Sequence, residues 1–321
     1  MQNWKSGASS DTLKSRARFL KQIRDFFEKN EILEVETPSI SEFPSVDLHL
    51  ESFSLNEEPG NHHHYLITSP EYHMKRLLCE GVGSIYQICK SFRKDDCGCY
   101  HNAEFTIIEW YRVGWDHWQL MNEIEQLLDN LLGCGLADRI AYSSLFQNYL
   151  DIDPFSMNYE DLIRVCQKND TVLPDYLDDP DMPRDEWLNF LMGALIEPYL
   201  GIDKPIFVFD YPSSQASLAR ICPENPLVSQ RFELFYKGLE LGNGFFELNN
   251  SQEQKRRFDK ENEKRIQMNK TPLPIDHRFI SALKEGLPDC AGVALGFDRI
   301  MMLALGIDDI DNMISFSWKR C

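Results

Sequence analysis

The stretch from Ser91 to Arg112 reads SFRKDDCGCYHNAEFTIIEWYR, and it says more about the fold than any other part of the chain. Two apolar runs, Ile85–Phe92 and Ala103–Arg112, predict two strands that are joined by a polar, glycine-containing loop. Side chains two residues apart share one face of a strand, so Glu109 and Tyr111 point the same way. A carboxylate on a largely apolar face needs a partner.

These residues allow two interpretations. In the first, Arg93 at the end of the first strand clamps a phosphate through its guanidinium, and Glu109 binds a cationic group of a ligand. In the second, the strands form a surface hairpin in which Arg93 is exposed and Glu109 pairs with Arg112. The stretch alone favours neither interpretation.

A second segment, Lys237–Asn249, reads KGLELGNGFFELN and contains two glutamates. A regular strand would place Glu240 and Glu247 on opposite faces, but the Gly242–Gly244 bend could bring them together. Two carboxylates plus substrate phosphates are a usual way to hold Mg²⁺. A hairpin turn with two solvated acids is the simpler interpretation of this segment by itself.

A third segment, Gly292–Arg299, reads GVALGFDR and joins a strand of small residues to a helix. Small side chains on a strand permit the close approach of a flat ligand, and Arg299 opens the helix. Packing of small residues in the core explains the same pattern equally well.

The rest of the chain alternates between helical and strand patterns. Apolar residues recur at helical spacing over Thr12–Asn30 and Asp116–Leu132, and the Tyr142–Leu200 region is helical in pattern. Strand signals occupy Pro205–Asp210 and Arg231–Leu248. Strands separated by helical insertions predict an α+β fold with an antiparallel sheet flanked by helices. We expect one catalytic domain over residues 1–321.

The composition of the chain limits the classes of protein to which it can belong. The chain has 33 Lys and Arg against 51 Asp and Glu, a formal net charge of −18 at pH 7. Such a chain repels phosphate backbones, which disfavours nucleic-acid binding but not a basic protein partner. It has no apolar run long enough for a membrane helix, and Met1–Asp11 lacks a signal-peptide core. Nine scattered cysteines indicate a reducing compartment, so we expect a cytoplasmic protein without membrane contact.

Together and in this order, the segments resemble the signature motifs of class II aminoacyl-tRNA synthetases, especially lysyl-tRNA synthetases. Ile23–Pro38 corresponds to the first motif, Phe92–Phe105 to the second and Gly296–Arg299 to the third. Thr68–Glu71 and Met74–Leu77 match the lysine-type subclass. The resemblance covers nearly the whole chain and implies the class II catalytic fold.

The resemblance also implies an activity. Lysyl-tRNA synthetases carry an N-terminal OB-fold that reads the anticodon, but here only Met1–Asp11 precedes the first motif helix. The chain is similar to truncated paralogues that attach lysine, preferably (R)-β-lysine, to a lysine side chain of elongation factor P. Two substitutions fit these paralogues, Ser69 for the usual alanine and Ala294 for the usual glycine. The implied protein is an ATP- and Mg²⁺-dependent ligase without anticodon recognition, and a homodimer through the first motif.

The resemblance assigns roles residue by residue. The residues that would bind ATP are Arg93, Lys94, Asp95, His101, Asn102, Phe105, Glu240, Leu241, Gly296 and Arg299. Those that would bind the amino acid are Ser69, Pro70, Glu71, Glu109, Tyr111, Glu247 and Ala294. Arg93 and Arg299 would be catalytic, on the α- and γ-phosphates, and Glu240 and Glu247 would hold Mg²⁺. The family usually has glutamate at Asp95, which therefore has one methylene less of reach.

Two other functions remain open. A minimal lysyl-tRNA ligase or amide-forming ligase would use the same catalytic core. A catalytically silent, synthetase-like regulator would bind ligands without reacting them. The presence together of Arg93, Arg299, Glu240 and Glu247 argues against the silent regulator, and the acidic composition argues against tRNA.

Overall fold

The computed structural model describes residues 4–56, 63–94 and 97–321. Their contacts divide the chain into two compact units. The first unit comprises Met1–Gly133 and Glu247–Cys321, and the second comprises Cys134–Phe246. A single catalytic domain over the whole chain stays a prediction.

Helices and strands alternate along the described residues. The α-helices are α1 (Ser10–Lys29), α2 (Glu71–Cys79), α3 (His117–Leu132), α4 (Tyr142–Leu150), α5 (Tyr159–Lys168), α6 (Arg184–Leu191), α7 (Ser251–Gln267), α8 (His277–Gly286) and α9 (Phe297–Leu305). The strands are β1 (Leu33–Glu34), β2 (Ile40–Ser41), β3 (Ser54–Asn56), β4 (His63–Leu66), β5 (Ile85–Phe92), β6 (Glu104–Val113), β7 (Asp138–Ala141), β8 (Ile206–Pro212), β9 (Val228–Tyr236), β10 (Leu239–Phe246) and β11 (Cys290–Gly296).

The first unit is built on the strands β1, β5, β6 and β11, which lie side by side in that order. β1 runs parallel to β5, whereas the pairs β5–β6 and β6–β11 are antiparallel. The strands β2, β4 and β3 form a second, antiparallel sheet. Helix α1 packs through Phe27, whose ring stacks on Tyr86 at 4.2 Å and meets Trp110 edge-on at 5.3 Å.

Local sequence signals explain where the helices begin and end. The hydroxyl of Ser9 accepts a hydrogen bond from the Thr12 N–H at 3.1 Å and caps α1. A capping box of Asp116 and Gln119 opens α3, and Gly133 ends it in the left-handed conformation, with φ of 63°. These ends lie within two residues of the bounds that the sequence predicts.

The second unit contains β7–β10 and the helices α4–α6. The pair β7–β8 is parallel, and the pairs β8–β9 and β9–β10 are antiparallel. The predicted strand Arg231–Leu248 is two strands, because Lys237 and Gly238 take positive φ angles of 51° and 71° and form a turn. Apolar side chains from the three helices and the strands form one buried cluster, which includes Phe146, Leu188 and Val208.

The α+β fold with mainly antiparallel strands is confirmed. Two parallel pairs, β1–β5 and β7–β8, were not predicted, since periodicity does not specify strand direction. Within the described ranges, every helix is too short or too polar to span a lipid bilayer.

Candidate active site

Side chains from β6 and β11 share one face of the sheet in the first unit. In the antiparallel register, Ala294 lies opposite Glu109 and Gly292 lies opposite Tyr111. A Cβ atom on Gly292 would lie 2.3 Å from the Tyr111 ring and 2.4 Å from Oε1 of Glu247. Glycine is therefore required at this position, because functional side chains occupy the space above it.

Glu109 is buried on this face and accepts hydrogen bonds from two hydroxyl groups. Tyr111 donates to Oε1 at 2.7 Å, and Ser69 donates to Oε2 at 2.6 Å. Arg112 instead forms an ion pair with Glu123, with 3.3 Å between Nε and Oε1. The interpretation in which Glu109 pairs with Arg112 on a surface hairpin is therefore wrong.

A buried lysine joins two further carboxylates. Nζ of Lys75 lies 2.6 Å from Oε1 of Glu71, one turn earlier on α2, and 2.6 Å from Oε2 of Glu247. The side chains of Lys75 and Glu247 are each 1% exposed. Lys75 has no predicted role, although its i,i+4 spacing from Glu71 is typical of a helical ion pair.

Glu71, Glu109, Glu247 and Lys75 form what we call the carboxylate cluster. Burial raises the pKa of Glu109 to about 7, and the nearby carboxylate of Glu71 adds to the rise. Burial also raises the pKa of Glu247, while Lys75 acts in the opposite direction. Burial alone would lower the pKa of Lys75, but Glu247 and Glu71 hold it above its ordinary value.

When every member is ionised, the carboxylate cluster has three negative charges and one positive charge, a formal charge of −2. Buried charge without a counter-ion is unfavourable. The cluster is therefore suited to bind a ligand with cationic groups.

Arg93 follows the end of β5 and lies over an aromatic ring. Its backbone N–H donates to the Ala103 carbonyl at 3.0 Å, and its guanidinium carbon lies 5.0 Å from the centre of the Phe105 ring. Within the described ranges, its buried Nε has no hydrogen-bond partner. An unsatisfied buried donor on a cation is suited to an anionic ligand such as a phosphate.

Arg299 lies in the first turn of α9, beside the loop between β5 and β6. Its guanidinium contacts Nε2 of His101, and its Nε lies 3.5 Å from the Tyr100 carbonyl. An isolated bridge between Gly98 and His101 shapes this loop. The structure thus brings together His101 and Arg299, two residues predicted to bind ATP.

Asn102 and Lys94 are tied to other segments. Nδ2 of Asn102 donates to the Glu104 carbonyl at 2.6 Å, and its Oδ1 accepts from the Trp318 N–H at 2.8 Å. The backbone N–H of Lys94 donates to the Glu51 carbonyl at 2.8 Å. The Asn102 side chain therefore fixes the C-terminal segment against the loop, a contact that the sequence did not indicate.

The other predicted residues lie at the ends of elements or outside this unit. Pro70 occupies the N-cap position of α2 without a side-chain capping hydrogen bond, and Gly296 ends β11 and precedes α9. Glu240 and Leu241 lie on β10 in the second unit, where the register shifts between Glu240 and Gly242. Asp95 lies outside the described residues.

Comparison with known proteins identifies the family. The profile of the tRNA synthetases class II (D, K and N) matches residues 2–320. The chain belongs to this family. The resemblance that the three motifs predicted is therefore confirmed.

Curated relatives of this class II chain have nearly its full length. It is 47% identical to a Vibrio atlanticus (strain LGP32) protein over 321 residues, 99% of this chain and 98% of the relative. It is also 47% identical to a Vibrio cholerae serotype O1 protein over 322 residues, with 99% and 98% coverage. A Salmonella arizonae protein is 44% identical over 321 residues, again with 99% and 98% coverage. All three relatives are named elongation factor P–(R)-beta-lysine ligase.

A buried ion pair links elements that carry the class II motifs. Arg16 of α1 contacts Oδ1 of Asp298 through Nη1 at 2.5 Å and Oγ1 of Thr106 through Nη2 at 2.6 Å. The Thr106 N–H donates to Oδ2 of Asp298 at 2.7 Å. Asp298 immediately precedes Arg299, so this link orients the first turn of α9.

Proposed function

We propose that this chain is an ATP-dependent ligase that activates (R)-β-lysine, or lysine, as an acyl-adenylate. It then transfers the aminoacyl group to the side-chain amine of a lysine of elongation factor P, a post-translational modification. The observation that carries the activity is the buried carboxylate cluster close to the strand that leads into Arg93. The acceptor is the one named in the three curated relatives.

The charge of the carboxylate cluster matches this substrate. A lysine isomer has two ammonium groups, and its carboxylate loses its charge when it becomes the acyl group of an adenylate. The aminoacyl part of the adenylate therefore carries two positive charges, apart from the negative charge of its phosphate, and the cluster has a formal charge of −2. Glu71, Glu109 and Tyr111 would bind the ammonium groups, and Ser69, Pro70 and Ala294 would shape the pocket around them.

ATP would bind at the loop between β5 and β6 and at the start of α9. Arg93 would hold the α-phosphate and Arg299 the γ-phosphate, with Phe105 stacked on the adenine. Lys94, Asp95, His101, Asn102, Leu241 and Gly296 complete the proposed nucleotide site. The unsatisfied Nε of Arg93 supports this assignment.

Glu240 and Glu247 would hold Mg²⁺, and their carboxylate oxygens are the donors that this ion prefers. When bound, the ion would neutralise charge on the phosphate oxygens.

The reaction would proceed in two steps. A carboxylate oxygen of the amino acid attacks the α-phosphorus, and the bond to pyrophosphate breaks as the adenylate forms. An uncharged amine of the acceptor then attacks the acyl carbon, AMP leaves with the bonding electrons, and the amine loses a proton. Arg93 and Arg299 stabilise charge that develops on the phosphates, so no side-chain nucleophile is required.

The acceptor and the assembly belong to the same proposal. The net charge of −18 favours a protein acceptor with a cationic loop over tRNA. We propose a cytoplasmic homodimer that acts on elongation factor P and has no part in anticodon recognition.

One assay tests this function. Radiolabelled (R)-β-lysine or α-lysine is incubated with ATP, Mg²⁺ and either elongation factor P or tRNA, and the label that enters each macromolecule is counted. We expect the label in elongation factor P alone. Label in tRNA would favour the minimal tRNA ligase, and binding without transfer to either would favour the silent regulator.

Adenylation itself can be measured without an acceptor. Arg93→Ala should lower the rate of lysine-dependent ATP–pyrophosphate exchange by about two orders of magnitude or more, because it removes a charge clamp from the developing phosphate charge. Arg164→Ala removes an exposed arginine of α5 that pairs with Asp161, and serves as the control. Normal exchange in Arg93→Ala would exclude Arg93 from the mechanism.

A further inference from the structure

Lys75 is an unusual residue for its position in the fold. It is 1% exposed, and its ammonium contacts one carboxylate oxygen of Glu71 and one of Glu247 at 2.6 Å each. Buried ion pairs stabilise a fold poorly, because the loss of hydration offsets most of the attraction. An apolar side chain of similar length would pack there without this cost. The position of the charge therefore suggests a role in the pocket.

The ammonium of Lys75 fixes the positions of the Glu71 and Glu247 carboxylates. Glu71 belongs to α2, whereas Glu247 comes from a distant part of the sequence and has its Oε1 above Gly292. Without a cation between them, two buried carboxylates repel each other and turn apart. With Lys75 in place, both are held beside Glu109 and Tyr111.

We propose that Lys75 is a positioning residue for the amino-acid substrate. It holds Glu71 and Glu247 in place, so that the carboxylate cluster, with a formal charge of −2 when ionised, meets the two ammonium groups of the ligand. This inference rests on the proposed function, and it concerns recognition of the amino acid; because Glu247 would also hold Mg²⁺, a smaller effect on ATP is expected beside the effect on lysine. The ammonium of Lys75 contacts Glu71 and Glu247 and lies 6.0 Å from the centre of the Tyr111 ring, and all three of these residues are assigned to the amino acid.

The test compares three substitutions at this position. Lys75→Met keeps the approximate shape and removes the charge, whereas Lys75→Arg keeps the charge. Lys75→Ala leaves a cavity that propylammonium can fill, with 1-propanol as the uncharged additive. For each variant, KM for the lysine isomer and KM for ATP are measured by pyrophosphate exchange. Binding of the lysine isomer without ATP is measured by calorimetry.

We expect Lys75→Met to raise KM and Kd for the lysine isomer by roughly ten- to a hundredfold, the range expected for misplaced charged hydrogen bonds. KM for ATP should rise much less than KM for the lysine isomer, because Arg93 and Arg299, which would hold the phosphates, are unchanged in this variant. Propylammonium should restore lysine binding to Lys75→Ala and 1-propanol should not. Lys75→Arg should retain part of the affinity, which keeps the test valid if Lys75→Met does not fold.

A control variant separates positioning from a general effect on the fold. Arg112→Met breaks the ion pair with Glu123, which is largely buried in the same unit and away from the carboxylate cluster. It should lower stability without changing KM for the lysine isomer. Equal increases in KM for lysine and ATP, or equal rescue by both additives, would overturn the proposal. If wild-type protein binds no lysine isomer, the proposed function fails first, and the role of Lys75 fails with it.

Discussion

At the scale of single residues, Glu109 is the group whose ionisation state matters most for substrate binding. Burial raises its pKa to about 7, and Glu71 adds to this rise. The hydroxyls of Ser69 and Tyr111 and the ammonium of Lys75 favour the ionised form and oppose the shift. A cationic substrate needs the carboxylate, so the protein must release a proton on binding at low pH.

The expected result is a lysine affinity that depends on pH. Below about pH 7, KM for the lysine isomer should rise by about tenfold per pH unit, and it should level off above about pH 8, because burial raises the pKa of Glu247 to about 8. KM for ATP should not follow this profile, and Glu109→Gln should raise KM for lysine and weaken its pH dependence, leaving the part that is due to Glu247. A flat profile for lysine in the wild-type protein between pH 5.5 and about 8 would contradict the assignment.

The choice between lysine isomers depends on two positions beside the same carboxylate. The Ser69 hydroxyl donates to Glu109 at 2.6 Å and accepts from the Glu71 N–H at 3.0 Å, and Ala294 lies opposite Glu109 in the sheet. Ser69 therefore acts on the ammonium group through Glu109, and the Ala294 methyl restricts the space beside it.

The double variant Ser69→Ala with Ala294→Gly should shift the ratio of kcat/KM values toward α-lysine. A misplaced charged hydrogen bond costs roughly 1.5–3 kcal/mol, or about one to two decades in specificity. Competition between the two isomers in pyrophosphate exchange measures this ratio. KM for ATP is the internal control, since neither position is assigned to the nucleotide. An unchanged ratio would refute this account of specificity and leave the ligase assignment intact.

At the scale of elements, the link from Arg16 to Asp298 determines how α1, β6 and α9 meet. Asp298 is 3% exposed, and it accepts from both Arg16 and the Thr106 backbone. Removal of Arg16 would leave the buried carboxylate of Asp298 without its ion-pair partner. Such a loss lowers the free energy of unfolding by about 3 kcal/mol or more.

Arg16→Gln should therefore lower the free energy of unfolding by about 3 kcal/mol and reduce kcat for adenylation, because Arg299 follows Asp298 directly. Urea denaturation and pyrophosphate exchange measure the two effects. The double variant Arg16→Gln with Asp298→Asn should recover part of the stability, since it removes the uncompensated charge. A stable Arg16→Gln protein with normal kcat would show that the link does not position Arg299.

Local patterns predicted the elements better than the contacts between them. Apolar runs predicted β5 and β6 within one residue, and apolar residues at helical spacing predicted α3 within one residue of its start. By contrast, the pairings of Lys75 with Glu247 and of Arg16 with Asp298 join residues far apart in sequence. Such pairings depend on strand order and helix packing, which no short-range pattern specifies.

The resemblance to a family supplied site residues that periodicity could not. It brought Ser69, Glu71 and Glu247 into one prediction, and the structure places all three beside Glu109 or Lys75. It gave no role to Lys75, and it assigned Asn102 to ATP without indicating its bonds to Glu104 and Trp318. A sequence motif identifies residues that contact a ligand, but it does not identify residues such as Lys75 that act by holding other side chains in place.

At the scale of the whole molecule, the prediction is a homodimer built partly from Ile23–Pro38. The strand β1 lies at the end of the strand order in the first unit, where Leu33 is 53% exposed. An exposed edge strand with an apolar side chain can be covered by a second copy of the chain. Sedimentation velocity at micromolar concentration should therefore show a dimer.

Leu33→Lys should shift the protein toward the monomer, since a buried lysine without a partner is unfavourable. Leu136→Lys changes a leucine of the second unit that is 77% exposed, and should leave the dimer intact. A wild-type monomer, or equal effects of the two substitutions, would argue against an interface at β1.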